Sequence, residues 1–316
     1  MITLNLNKII NASLCLETDC FGRGFIAQSL CESGEDGMLA AYSYALVNSG
    51  ANDRQTFLSH DRFLVADPAV SGEAVLRAFE LTGDTCFKAN VDNMLGYLMM
   101  HAPRTTDGVI FHYKENYNVG PGYTPMQIWA CDCYAAPPFL AVMGELTEAT
   151  KQYAGFYNYL VDERTGLFFE SYDIGSNMYV SQRLSGTGNA LALLGAARMI
   201  ANAAIHNKIE VATDLSDAAV QLLKNILKFQ LDDGLFYKIL NDPLSPRDTA
   251  TALMAACVIY RGISEGWLED DLRQNADKAI DAAEKQINEY GFIQNPAGMT
   301  ALTQSAFIIA NAWQCK

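Results

Sequence analysis

Two carboxylates in this chain sit in surroundings that suit proton chemistry. Asp132 lies in Met126-Gln-Ile-Trp-Ala-Cys-Asp-Cys-Tyr-Ala-Ala-Pro-Pro-Phe-Leu140, three residues after Trp129, a spacing that puts both on one face of a helix. An aspartate beside an indole loses hydration, its pKa rises, and it can hold a proton for general acid catalysis at neutral pH. The same spacing also fits an aspartate that caps or salt-bridges a helix start, with Trp129 simply buried. Asp67, in Leu64-Val-Ala-Asp-Pro-Ala-Val-Ser-Gly72, precedes a proline where a helix should begin near Ala69. It is either an N-cap with Pro68 at the first helical position or a second carboxylate facing the first across a pocket. Paired carboxyl groups, one protonated and one ionised, are what sugar chemistry requires.

Other polar residues fall where a ligand could meet them. Arg183-Leu-Ser-Gly-Thr-Gly-Asn189 opens a helix, but no strand precedes it and no lysine follows, so a phosphate loop is disfavoured. Thr187, Gly188 and Asn189 instead offer backbone N–H groups at a helix N-terminus, a setting that favours an anionic group such as a sugar carboxylate. His112 is either a donor to substrate or a loop stabiliser. It forms no ligand motif with His60, His101 or His206, so no metal is expected. The eight cysteines lack zinc or redox spacing and read as reduced, buried thiols. No nucleophile elbow or Cys-His pairing supports acyl transfer. Tyr113, Tyr117, Tyr123, Trp129, Tyr134, Phe168, Phe169 and Tyr172 supply aromatic faces for sugars, though most of such a set belongs to a core.

These groups need a scaffold. Apolar residues recur at helical spacing over Ser71–Glu80, Phe87–His101, Gln127–Gly144, Gly188–Ala204, Leu215–Phe229, Thr249–Gly262, Leu268–Tyr290 and Thr300–Trp313, and no strand pattern competes. The chain reads as all-α. Between helices a phrase recurs: Gly108-Val-Ile-Phe-His112, Gly166-Leu-Phe-Phe-Glu170, Gly234-Leu-Phe-Tyr-Lys238 and Gly291-Phe-Ile-Gln294. Its intervals of 58, 68 and 57 residues match one helix pair with its loops. Five or six such hairpins use up residues 1–316, so an (α/α)6 toroid is expected, as one domain without a linker. In a ring of hairpins these loops gather on one face, bringing His112, Lys114, Glu170 and Asp173 to a central pocket.

Composition narrows the partners. Of 316 residues half are hydrophobic and 18% charged, enough to bury a large core. A net charge of −14 with no basic cluster disfavours nucleic acid and anionic membranes. The N-terminus does not read as a secretory signal, and no stretch approaches the roughly 18 uninterrupted apolar residues of a membrane span. A cytoplasmic setting is expected. Oligomeric state is not legible.

Taken together, Asp67-Pro-Ala-Val-Ser-Gly-Glu-Ala-Val-Leu76, Glu80-Leu-Thr-Gly-Asp84, Pro103-Arg-Thr-Thr-Asp-Gly108, Gln127-Ile-Trp129, Tyr134-Ala-Ala-Pro-Pro-Phe-Leu-Ala141, Gly166-Leu-Phe-Phe-Glu-Ser-Tyr-Asp173, Gly186-Thr-Gly-Asn189 and Thr300-Ala-Leu-Thr-Gln-Ser-Ala-Phe307 resemble the six-hairpin glycosidases. Within these the chain is most similar to glycoside hydrolase family 105, the unsaturated rhamnogalacturonyl hydrolases, and family 88, the unsaturated glucuronyl hydrolases. The resemblance implies an (α/α)6 barrel acting on a small oligosaccharide that ends in a Δ4,5-unsaturated uronic sugar. A carboxylic acid protonates C4, water adds at C5, and the hemiketal opens to release the remaining sugar, without metal or nucleotide.

Asp67 matches the family's second pocket aspartate, and His112 a family histidine. The family's catalytic aspartate stands two residues after the tryptophan, where this chain has Cys131. Asp132 comes one residue later, so either the local helix adjusts to bring Asp132 into the pocket or the acid is lost. The family loop Trp-x-Arg-Gly-Asn-Gly-Trp is here Ser185-Gly-Thr-Gly-Asn-Ala-Leu191, leaving Thr187 and Arg183 to hold a carboxylate. Glu170 replaces a histidine found in some members. The expected catalytic pair is Asp132 with Asp67, and the expected substrate contacts are His112, Lys114, Trp129, Glu170, Arg183, Thr187 and Asn189. Two alternatives stay open: another carbohydrate enzyme on the same toroid (a lyase, an epimerase or an ordinary glycosidase), and an inactive carbohydrate-binding protein.

Overall fold

The structure, a computed structural model, describes residues 2–48, 63–298 and 300–316. Among them twelve α-helices alternate between two environments. Helices α1 (Ile2–Leu14), α3 (Asp36–Asn48), α5 (Thr85–Met100), α7 (Leu146–Leu160), α9 (Ile209–Leu227) and α11 (Arg273–Glu284) form one set. The other is α2 (Cys20–Ser33), α4 (Gly72–Thr82), α6 (Ala136–Val142), α8 (Gly186–Ile205), α10 (Thr249–Ser264) and α12 (Thr300–Gln314). The second set packs in the order α2, α4, α6, α8, α10, α12, and α12 returns to pack on α2. Members of the first set lie outside this ring against their chain neighbours. This is an (α/α)6 toroid.

The apolar pattern follows from position in the ring. An outer helix such as α9 buries only a stripe, Leu215, Ala219, Leu222, Leu223, Asn225 and Ile226, whose apolar members follow the i, i+4, i+7 pattern of a half-covered helix. Inner helices are covered all round: every residue of α10 from Thr249 to Tyr260 is buried. By length and composition α8 could cross a membrane, but 83% of its apolar window is buried inside the protein. Its apolarity is that of an inner helix.

Helix bounds at α4, α5, α8, α10 and α12 fall within about two residues of the sequence expectation, and α9 starts six residues earlier. Helices α1, α2, α3 and α7 were not expected. Helix α2 carries Gly22 and Gly24, which lower helix propensity. Gly24 is required by packing, since a Cβ there would lie 2.8 Å from the Ser71 backbone nitrogen.

The largest correction concerns Gln127–Gly144, expected as one helix. It is a strand, β1 (Gln127–Trp129), then a 3-10 turn (Ala130–Tyr134), then the short α6. Pro137 and Pro138 lack N–H donors and are tolerated only in a first helical turn, so they mark where α6 starts. Other strands are equally short: β2 (Val161–Asp162), β3 (Leu167–Phe168), β4 (Ser171–Asp173), β5 (Met178–Ser181), β6 (Phe236–Tyr237) and β7 (Arg247–Asp248). They lie in the connections from outer to inner helices. There the recurring glycines Gly108, Gly166, Gly234 and Gly291 turn the chain at φ of 93°, 67°, 88° and 89°, which is why the phrase repeats.

An ion network ties the inner helices together. Arg198 of α8 is 2% exposed; its Nε and Nη2 donate to Glu73 Oε2 of α4 at 2.9 and 2.6 Å, and Gln28 of α2 donates to the same oxygen. The guanidinium also lies 5.0 Å from the Tyr134 ring, supporting the 3-10 turn. Burial alone would raise the Glu73 carboxyl, but Arg198 prevails and holds it below its ordinary value of 4.5. A depressed folded-state pKa means that this stabilisation is complete above the unfolded value and is lost as pH falls through the lower folded one. Glu73→Gln strands the Arg198 charge, and the expected cost at pH 7 is about 3 kcal/mol in urea unfolding. The difference from the native chain should shrink below about pH 4.5.

Candidate active site

The N-terminal ends of five inner helices, with the residues just before them, surround a cavity of about 240 Å³. Asp19 and Phe21 come from the start of α2, Asp67 from the turn before α4, and Trp129, Ala130 and Cys131 from the segment before α6. Ser185, Thr187, Gly188 and Leu191 come from α8, Leu302 from α12, and Glu170 from the loop before β4. Helix N-termini carry unsatisfied N–H groups and the positive end of the helix dipole, so their convergence favours an anionic group inside the ring mouth. The wall combines apolar surfaces with three carboxylates, Asp19, Asp67 and Glu170.

Local turns and strand pairing together fix these side chains. Asp67 opens a 3-10 turn (Asp67–Ser71) whose N-cap is Ala66 and which has no side-chain cap, so the N-cap expectation fails and the carboxylate reaches the cavity wall instead. It is 6% exposed. Strand β1 pairs with β4, Trp129 opposite Ser171, and the Ala130 N–H donates to the Glu170 carbonyl at 3.0 Å. That pairing is what brings Glu170 beside Trp129. The half-buried indole donates to Gln127 Oε1 at 3.1 Å and stacks on the His112 ring at 5.1 Å. Thr187 donates to the buried Asp248 Oδ2 at 3.0 Å.

Asp132 is placed differently from the sequence expectation. A 3-10 helix has three residues per turn, so neighbouring side chains point about 120° apart. Cys131 therefore faces the cavity while Asp132, 2% exposed, turns away from it and is not part of the wall. Its Oδ1 lies 2.9 Å from His112 Nδ1, and its Oδ2 is buried with no hydrogen-bond partner among the described residues. The shared helix face of Trp129 and Asp132 does not exist, because Trp129 is in a strand. Asp67 and Asp132 nonetheless occupy one neighbourhood: burial first, then Asp132 and Asp67, push the Cys131 thiol well above its usual range. Burial, and then Tyr117 and the same carboxylates, push the Tyr113 phenol up to about 12.

The remaining expected contacts divide. Glu170, Trp129 and Thr187 line the cavity. His112 is 8% exposed and stands behind Trp129 rather than on the wall. Asn189 is fully buried and clasps the Phe168 backbone through both amide atoms, at 2.8 and 2.9 Å, so it holds β3 on α8. Lys114 lies over the Tyr97 ring at 5.6 Å and borders a separate depression with His101 and Pro103. Arg183 is exposed and outside the wall. Asp173 is fully buried and accepts from the Thr124 N–H and hydroxyl, both at 2.9 Å, pinning a loop.

Phe21, Leu191 and Leu302 escaped the sequence reading, as did Asp19. The side chain of Asp19 caps α2 by accepting from the Gly22 N–H at 2.8 Å, and an aspartate before an apolar run was the available signal. The sequence reading looked for ligand partners of His112 among the other histidines and not at Cys131 and Asp132. Its ring nitrogen, the Cys131 sulfur and an Asp132 oxygen all lie within 4.8 Å of one another. His60 falls outside the described residues.

Comparison with known proteins agrees with this architecture. Residues 27–312 match the model of Glycosyl Hydrolase Family 88. The unsaturated rhamnogalacturonyl hydrolase YesR of Bacillus subtilis (strain 168) is 24% identical over 242 residues, covering 74% of this chain and 67% of that protein. A possible member of family GH105 from Klebsiella pneumoniae subsp. pneumoniae MGH 78578 superposes with a TM-score of 0.82 at 15% identity, covering 99% of this chain and 92% of that one. An unsaturated glucuronyl hydrolase from Bacillus sp. GL1, responsible for the degradation of glycosaminoglycan, superposes at 0.65 with 17% identity, covering 94% and 85%. With nine-tenths of its length matched, a closed ring of six helix pairs and an acidic cavity at its mouth, the chain belongs to glycosyl hydrolase family 88, a family of glycosidase-type hydrolases.

Proposed function

We propose that this protein hydrolyses the unsaturated uronic sugar at the end of a lyase-generated oligosaccharide. The observation that carries the reading is the cavity itself, where an aromatic and apolar wall for a sugar ring, helix N-termini for its carboxylate and three acidic side chains meet in one place. Relatives named for unsaturated rhamnogalacturonyl and glucuronyl substrates support the same class.

In this reading Asp67 donates its proton to C4 of the C4=C5 bond, leaving an oxocarbenium ion at C5. Water adds at C5 and its proton passes to Glu170. The hemiketal then opens at the C5–O5 bond, and the hemiacetal left at C1 releases the remaining sugar as an alcohol. Trp129 is the stacking platform. Asp132, from its position behind the wall, orients His112 instead of donating the proton. The chain acts without a partner macromolecule, in the cytoplasm.

The test is loss of the near-ultraviolet absorbance of the conjugated C4=C5–carboxylate when unsaturated glucuronyl and galacturonyl disaccharides are added. Loss with either supports the reading, and absorbance unchanged across both classes discards it. Trp129→Ala should raise KM about tenfold or more with a smaller change in kcat, since about 1–2 kcal/mol of stacking surface is removed from bound sugar. One observation favours a second reading. The wall position two residues after Trp129 holds a thiol, which fits a protein that binds the saccharide without turning it over. Saturable binding of unsaturated disaccharide with no loss of absorbance would establish that reading instead.

A further inference from the structure

The buried carboxylate that the hydrolytic reading leaves without a chemical task sits between two other ligand-type side chains. Asp132 Oδ2 is inside the protein with no hydrogen-bond donor among the described residues, a condition that costs free energy for a carboxylate oxygen unless a cation or donor meets it. Cys131, on the cavity wall, and His112, behind it, each bring a ligand atom within 4.8 Å of an Asp132 carboxylate oxygen and of each other. His112 Nδ1 and Asp132 Oδ1 are 2.9 Å apart. A nitrogen and an oxygen on a tetrahedral zinc ion are separated by about 3.3 Å, so the pair needs to open by only a few tenths of an ångström.

We propose that His112, Cys131 and Asp132 form a binding site for one thiophilic divalent cation of the zinc or cobalt(II) class. The thiolate selects such an ion over magnesium or calcium, and imidazole and carboxylate complete three of four tetrahedral positions. The fourth faces the cavity, on the Cys131 side, and takes a water molecule. Binding breaks the Cys131 S–H bond, forms the metal–sulfur bond and sends one proton to solvent. The imidazole donates its Nδ1 lone pair, its N–H moving to Nε2, so His112 neither gains nor loses a proton. Asp132 exchanges the hydrogen bond from His112 to Oδ1 for a metal bond shared unequally by both carboxylate oxygens, which gives the unpartnered Oδ2 its cation. His112 keeps its orientation through stacking on Trp129 and edge contact with Tyr113, whose ring centroids lie 5.1 and 4.5 Å away.

The site stands independently of the hydrolase reading, and its test reads metal rather than turnover. The full chain, stripped with a chelator and kept reduced, is titrated with Co²⁺ at neutral pH. One equivalent should produce a thiolate-to-cobalt charge-transfer band in the near ultraviolet with intense tetrahedral visible bands, and Zn²⁺ should displace them. Cys131→Ser should abolish the charge-transfer band and His112→Gln should weaken binding, while both keep a native circular dichroism spectrum. A band that persists in Cys131→Ser belongs to another of the eight cysteines and overturns the proposal, as does no band at all. Alkylation mapped by peptide mass spectrometry decides independently in the native chain: Zn²⁺ should protect Cys131 and leave the exposed Cys15, Cys86 and Cys315 reactive. Equal modification of Cys131 with and without Zn²⁺ overturns the site even if a variant fails to fold.

Discussion

Cys131→Asp is expected to raise kcat on an unsaturated uronide by about 100-fold or more, the size of effect a positioned general acid supplies. The substitution places a carboxyl group on the cavity wall at the position where the chain departs from its family pattern, beside Asp67. A thiol is a far weaker acid than a carboxylic acid, so the native chain offers C4 a single strong donor from this part of the wall. Two neighbouring carboxyl groups cannot both ionise easily, so one keeps its proton near neutral pH while the other stays charged, the division of roles that acid–base chemistry on sugars uses. The side chain lines the cavity and is only partly buried, and aspartate adds little volume there, so a melting temperature within a few degrees of the native chain is expected. The measurement is initial rate against unsaturated disaccharide concentration. An active native chain whose rate is unchanged in Cys131→Asp would show that the proton reaches C4 from another direction, with Glu170 or Asp19 the next groups to replace.

The ring was legible because its inner helices had nowhere to expose a polar face. Helix α10, buried from Thr249 to Tyr260, and α12, buried from Ala301 to Asn311, show in the sequence as apolar runs with helical length. The Gly108, Gly166, Gly234 and Gly291 turns read as a repeat because each must adopt positive φ at the same place in a helix pair. Helix α2 was not legible, since its glycines serve a neighbour that a single sequence does not reveal: Gly24 admits the backbone of Ser71. Near the site the limit was the period of the local structure. Three-residue spacing between Trp129 and Asp132 means a shared face only on an α-helix. Pairing of Gln127–Trp129 with Ser171–Asp173, forty-odd residues away, converts the segment to strand and 3-10 turn. That long-range pairing exchanges Asp132 for Cys131 on the cavity wall. Asp67, Trp129, Glu170 and Thr187 were legible as wall residues because each stands at a helix entry or in a repeat loop, the places that the ring gathers at its mouth. Lys114 and Arg183 share those loops but point elsewhere, a distinction of side-chain direction that loop position does not carry.

The paired substitutions Asp67→Asn and Asp132→Asn separate wall chemistry from support. Asp67→Asn removes a carboxyl group from the cavity and replaces it with an amide of nearly the same shape that has no proton to give. The expected result is a loss in kcat of about 1,000-fold with KM changed less than threefold, the signature of an interaction made only in the transition state. Asp132→Asn alters a group that touches His112 and not the cavity. Its amide can still meet the ring nitrogen at 2.9 Å by taking the complementary donor or acceptor role, so the imidazole stays stacked on Trp129 and the wall keeps its shape. A loss of about tenfold or less is therefore expected. The outcome that reverses these roles is equally definite. If Asp132→Asn falls by about 1,000-fold while Asp67→Asn keeps most of its rate, the 3-10 turn must rearrange when sugar binds, bringing the buried carboxylate to the wall in place of the thiol.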